Sequence, residues 1–114
     1  MEKEILKELP ACPVETTLTL ISDKWKVLIL RDPMSGTKRF GELKKSIGHV
    51  TQKVLTAQLR QMEESGLLTR KVYAEVPPRV EYTLTELGYS LKPVLDAMWT
   101  WGEGYKSRLE GKAE

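Results

Sequence analysis

The chain has 114 residues, 40% of them hydrophobic and 30% charged, with a formal net charge of +2. That length and balance fit a soluble globular protein with one domain and one core, and exclude a disordered chain. One cysteine and one histidine rule out an internal disulfide framework and argue against a Cys/His zinc site.

The start "MEKEILKELP" lacks the apolar centre of a signal peptide, and no apolar run approaches the roughly 18 to 20 residues of a membrane span. The expectation is a cytoplasmic protein of one domain over residues 1–114, without metal, cofactor or membrane partner. Its core spans about 12–108, with 1–11 as an N-terminal extension. In "CPVETTLTLIS", Val14, Leu18 and Ile21 recur at i, i+4 and i+7 behind Pro13, which predicts a first helix. Ser22 or Asp23 can cap a second helix in "KWKVLILRD", with Trp25, Leu28 and Ile29 inward and Pro33 as its stop.

The segment "GELKKSIG" has Leu43 and Ile47 on one side and Lys44 and Lys45 on the other, and Gly48 is placed to end it. Thr51 can cap the next helix, with Val50 positioned to pack on Leu55. Leu55, Leu59 and Met62 form that helix's apolar stripe, and Gly66 supplies a left-handed stop. Beyond it the period becomes alternating. "LLTRKVY" and "RVEYTL" read as a β-hairpin, with Val80, Tyr82 and Leu84 on one face and Arg79, Glu81 and Thr83 on the other. Thr85 can cap a final long helix lined by Leu87, Leu91, Val94, Met98 and Trp101, widened by Leu95 and Trp99, and bent or broken at Pro93. Such a stripe exceeds the needs of one small domain, so the surplus predicts burial against a second copy.

Two helices joined by a tight turn and followed by a two-stranded hairpin make a winged helix-turn-helix. The fold class is therefore mainly α (α+β), a winged helix-turn-helix with a two-stranded β-hairpin wing. In this arrangement the second helix of the pair enters the DNA major groove, about 12 Å wide, while the hairpin reaches the backbone or the minor groove. Charge supports a polyanionic partner. Residues 37–80 hold nine Lys or Arg against four Asp or Glu, a local net charge of +5. At 100° per residue from Leu55, the apolar stripe lies within about 40° of zero, whereas Lys53, Thr56 and Arg60 fall near 100 to 160°. Gln52 lies on the flank of the first turn, which goes deepest into the groove. Gln52, Lys53 and Thr56 are thus candidates for base contacts, and Arg60 for base or phosphate. Lys38, Arg39, Lys44 and Lys45 are candidate backbone contacts, together with the turn residues His49 and Thr51. Arg79 is the first candidate from the hairpin, with Arg70 and Lys71 behind it.

Three segments, "CPVETTLTLISDKWKVLIL", "RFGELKKSIGHVTQKVLTAQLRQMEESGLLTRKVY" and "PPRVEYTLTELGYSL", together resemble the HxlR-type transcriptional regulators, winged-helix proteins related in architecture to MarR regulators. The resemblance covers about residues 12–108. It implies a homodimeric DNA-binding regulator whose first and last helices form the interface, here Val14 and Leu18 with Leu95, Met98, Trp99 and Trp101. Such relatives often have two glycines before the Lys-Trp pair, where this chain has Ser22 and Asp23. Some also resemble it in having a cysteine at the place of Cys12 that responds to oxidants or electrophiles. At a helix N-cap the free amides and dipole raise a thiol's reactivity, while the competing reading is a small packing residue. Trp99, Trp101 and Tyr105 can serve dimer packing or line a pocket between subunits for a small-molecule effector. Two other classes stand beside the regulator. A winged-helix protein-interaction module is disfavoured by the basic middle third. An enzyme built on Cys12 has His49 as its sole imidazole, placed in the DNA-facing turn.

Overall fold

A computed structural model describes residues 9–113. The first eight residues of the N-terminal extension lie outside the described residues. Helix α1 (Pro13–Ile21) starts from Cys12 at the N-cap with proline in its first turn. Helix α2 (Lys24–Arg31) is capped by Asp23, whose carboxylate accepts the Trp25 N–H at 2.8 Å. A 3-10 turn, Asp32–Ser35, follows, with Pro33 fully buried inside it. Strand β1 (Lys38–Arg39) leads into α3 (Phe40–Ile47), where the Glu42 carboxylate accepts the Arg39 N–H at 2.8 Å. Gly48, at φ 93, ends α3. Thr51 then caps α4 (Gln52–Glu64), its hydroxyl accepting the Val54 N–H at 3.1 Å. The helix ends before Gly66, whose φ of 80 is the left-handed geometry that glycine adopts without a Cβ penalty.

Strands β2 (Leu68–Tyr73) and β3 (Arg79–Leu84) form the antiparallel hairpin, in register from Leu68 opposite Leu84 to Tyr73 opposite Arg79. The expected two-stranded wing gains a third strand. β1 pairs with β3, Lys38 opposite Tyr82 and Arg39 opposite Glu81, giving the order β1-β3-β2. Two residues are too few to show alternation in a sequence, and tertiary pairing alone makes them a strand. The final helix is realised as two. Thr85 caps α5 (Glu86–Tyr89), and α6 (Lys92–Ala113) follows with Pro93 in its first turn, where a missing N–H costs nothing.

The core joins Ile29 and Leu30 of α2, Leu43 and Ile47 of α3, Leu55, Leu59 and Met62 of α4, and Leu68, Tyr82 and Leu84 of the sheet. At roughly 1.5 to 3 kcal/mol for each fully buried large side chain, this cluster supplies most of what holds α4 in place. Val50 is buried beside it, as the expected staple requires. In α2 the inward face differs from expectation. Ile29 and Leu30 are fully buried, while Trp25 and Leu28 are half-buried at the edge. The wide stripe of the last helix divides at Leu95. Leu91, Val94 and Leu95 pack on the core, but Leu87, Met98, Trp99 and Trp101 remain exposed.

Candidate nucleic-acid interface

Helix α4 is clamped from below by Leu55, Leu59 and Met62, so its remaining surface is presented outward. Gln52, Lys53, Thr56 and Arg60 are all exposed. The hairpin stands beside them. Between α4 and the sheet runs a cleft of about 290 Å³ lined by Gln52, Thr56, Arg60 and Glu63 from the helix, Phe40 from α3, and Arg70, Val80 and Tyr82 from the sheet. Gln52, Thr56 and Arg60 recur at every fourth residue, the spacing that aligns side chains along one edge of a helix. Lys53 lies outside that row, toward the far edge of the exposed face. Arg70, a weaker candidate in the sequence, is thereby brought into the same cleft as α4. The signal was present in the strand alternation, which places Arg70 on the face of Val80 and Tyr82.

The flanking cations are divided by the sheet. Arg39 and Lys45 share a second groove with the wing residues Glu75, Pro77, Pro78 and Arg79. Lys38 points elsewhere, into a hollow with Arg31, Asp32, Ser35, Glu42 and Ser46. This follows from β1. Neighbouring residues of a strand project to opposite faces, so Lys38 and Arg39 separate as soon as the segment pairs with β3. Lys44 is half-buried, while Lys45, His49 and Thr51 are exposed at the α3–α4 turn. Arg79 is already engaged. Its guanidinium lies 3.3 Å from Glu75 and 3.5 Å from Glu81, and over the Tyr73 ring at 4.0 Å.

Away from this surface, Cys12 is a free, exposed thiol at the head of α1. Val14, Leu18, Met98, Trp99 and Trp101 are exposed, with Trp101 at 71%, whereas Leu95 packs against the core. The three aromatic residues considered for an effector pocket between subunits fall on two surfaces of the single chain. Trp99 lines a groove with Val27, Leu28, Met34, Leu95 and Met98, while Trp101 and Tyr105 stack on each other with centroids 5.4 Å apart beside Arg108. Among the described residues no group of three or more His, Cys, Asp or Glu is placed to hold a metal ion, and no helix is long and apolar enough to cross a membrane.

Comparison with known proteins agrees with this architecture. The sequence model of the HxlR-like helix-turn-helix family matches residues 20–110. The chain is 48% identical over 103 residues to the uncharacterized HTH-type transcriptional regulator YdeP of Bacillus subtilis strain 168, covering 90% of this chain and 80% of that protein. Among solved structures it is similar to the redox regulator HypR. The reduced form aligns with a TM-score of 0.81 at 44% identity, over 88% of this chain and 99% of that one. The oxidized form aligns at 0.76 and 46% identity, over 82% and 96%. A tight helix pair with a sheet-backed wing, matched by family model, sequence and structure alike, places this chain in the HxlR-like helix-turn-helix family.

Proposed function

We propose that this protein is a sequence-specific DNA-binding transcriptional regulator that acts in the cytoplasm as a homodimer. The observation that carries the reading is α4 itself. Its apolar stripe is fully buried, its opposite face bears Gln52, Lys53, Thr56 and Arg60, and the wing stands alongside. In this reading Gln52, Lys53 and Thr56 meet base edges and Arg60 meets a base or phosphate. Arg39, Lys44, Lys45, His49 and Thr51 contact the backbone, with Arg70 joining from the cleft, while Lys38, turned into its own hollow, is left out. Homodimerisation is supported by the exposed apolar surfaces of α1 and α6, and it calls for half-sites about one helical turn, or a multiple of it, apart.

The deciding experiment selects bound duplexes from a random pool and compares the wild type with Lys53→Ala/Thr56→Ala. Loss of sequence preference with an unchanged circular dichroism spectrum is expected. An unaltered preference would remove these residues from the reading face. Failure of the wild type to be retained on duplex DNA at low salt would favour the protein-interaction reading instead.

Response to oxidants or electrophiles through Cys12 is supported by the exposure of its thiol at a helix head and by the likeness to HypR. Diamide treatment is expected to change DNA retention of the wild type and to leave Cys12→Ser unaffected. Thermal shifts against aromatic compounds test for a small-molecule effector.

A further inference from the structure

The outer face of the wing carries its own charge network. Across β2 and β3, Tyr73 stands opposite Arg79 and Lys71 opposite Glu81, while β1 places Arg39 on the other side of Glu81. Residues directly opposite, or two apart along a strand, share a face, so these five side chains occupy one side of the sheet. The central-strand carboxylate thus has a cation in register on each side. It also lies 3.5 Å from Arg79. Arg79 is held further by Glu75 at 3.3 Å and by the Tyr73 ring at 4.0 Å, and its side chain is only 27% exposed. Moving that guanidinium onto a phosphate would give up its ion pairs with Glu75 and Glu81 and bring both carboxylates beside a polyanion, an unfavourable exchange. Lys71 and Arg39, by contrast, are exposed and make no ion pair among the described residues, Lys71 resting only over the Tyr73 ring at 4.9 Å.

We infer that Glu81 and Arg79 are positioning residues of the DNA interface: the carboxylate–guanidinium–tyrosine brace sets the shape of the wing, and Lys71 and Arg39 beside it take the phosphates. The inference rests on the DNA-binding reading above and leads to a counterintuitive sign. Removing a negative charge from a DNA-facing surface should by Coulomb's law alone tighten binding. If Glu81 is a brace, Glu81→Gln weakens it.

The test measures affinity against salt concentration on a mixed-sequence duplex of about 30 base pairs, roughly three helical turns. Wild type, Glu81→Gln, Arg79→Lys and Lys71→Ala are compared, together with amide exchange over residues 71–81 in the free proteins. Glu81→Gln and Arg79→Lys are each expected to weaken binding about fivefold with an unchanged salt slope and faster exchange in the wing. Arg79→Lys keeps the charge and loses the fork, which a simple phosphate contact would tolerate. Lys71→Ala is expected to lower the slope by about 0.9 per wing and leave exchange unchanged. Tighter binding by Glu81→Gln, or wild-type affinity in Arg79→Lys, overturns the inference. Absence of wild-type binding at low salt would instead overturn the DNA-binding reading, so the two failures are distinguishable.

Discussion

Asp23 serves two partners with its two oxygens. One accepts the Trp25 N–H and caps α2, and the other accepts the Gln58 side-chain amide at 3.3 Å, tying that cap to the middle of α4. Asp23→Ala should therefore cost about 1 to 2 kcal/mol, read as a lower urea midpoint with an unchanged m-value, whereas Ser22→Ala should be nearly neutral. The sequence permitted either residue to cap, because both types accept amide hydrogens. What decides between them is the backbone, since Ser22 is still helical at the end of α1 while Asp23 is extended, and Gln58, 35 residues away, adds a second partner for Asp23. Arg79 teaches the same lesson. A lone arginine near a turn reads as a contact for DNA, and its engagement by Glu75, Glu81 and Tyr73 emerges only once the hairpin register is known. The buried stripe was legible at this scale. Truncating Leu59, which is 1% exposed, to alanine is expected to cost about 2 to 5 kcal/mol in thermal or chemical unfolding.

At the scale of elements, periodicity identified α1 to α4 and the hairpin, since each has a long enough pattern and a recognisable stop. It missed β1, whose two residues have no pattern of their own, and it left open whether the last helix bends or breaks near Pro93. The break before α6 has a steric partner in α5. A Cβ added at Gly88 would lie 2.2 Å from the Leu67 carbonyl oxygen, so the short helix sits directly on the start of the wing. Gly88→Ala should consequently push α5 off β2 and lower the melting temperature by on the order of 10 °C, a loss of about 1 to 3 kcal/mol. Thr85 reinforces the junction by donating its hydroxyl hydrogen toward the Gly66 and Leu67 carbonyls while accepting the Gly88 N–H.

For the whole molecule, the radius of gyration is 16.3 Å, against about 13 Å for a compact chain of this length. The excess comes from α6, whose 22 residues span about 33 Å. From Asp96 to Gly111 only Gly102 is not exposed, so most of this helix lacks an intramolecular partner. A surplus of apolar residues in the last helix was visible in the sequence, but the point where core packing stops, at Leu95, was not. Leu18→Glu combined with Trp101→Glu is expected to shift sedimentation to the monomer and to reduce duplex affinity by about 100-fold or more, because two linked half-site contacts become one.

The three-stranded sheet bears on how such a protein meets a duplex that is not straight. β1 stitches the root of the hairpin to the segment leading into α3, at the rungs Lys38–Tyr82 and Arg39–Glu81. Outward of those rungs, only two ribbons remain. The root must travel with the helical body as one slab, and compliance is left to the loop beyond the Tyr73–Arg79 rung. In the proposed DNA-binding reading, irregularities in groove width are then absorbed at the very end of the hairpin, without tilting α4.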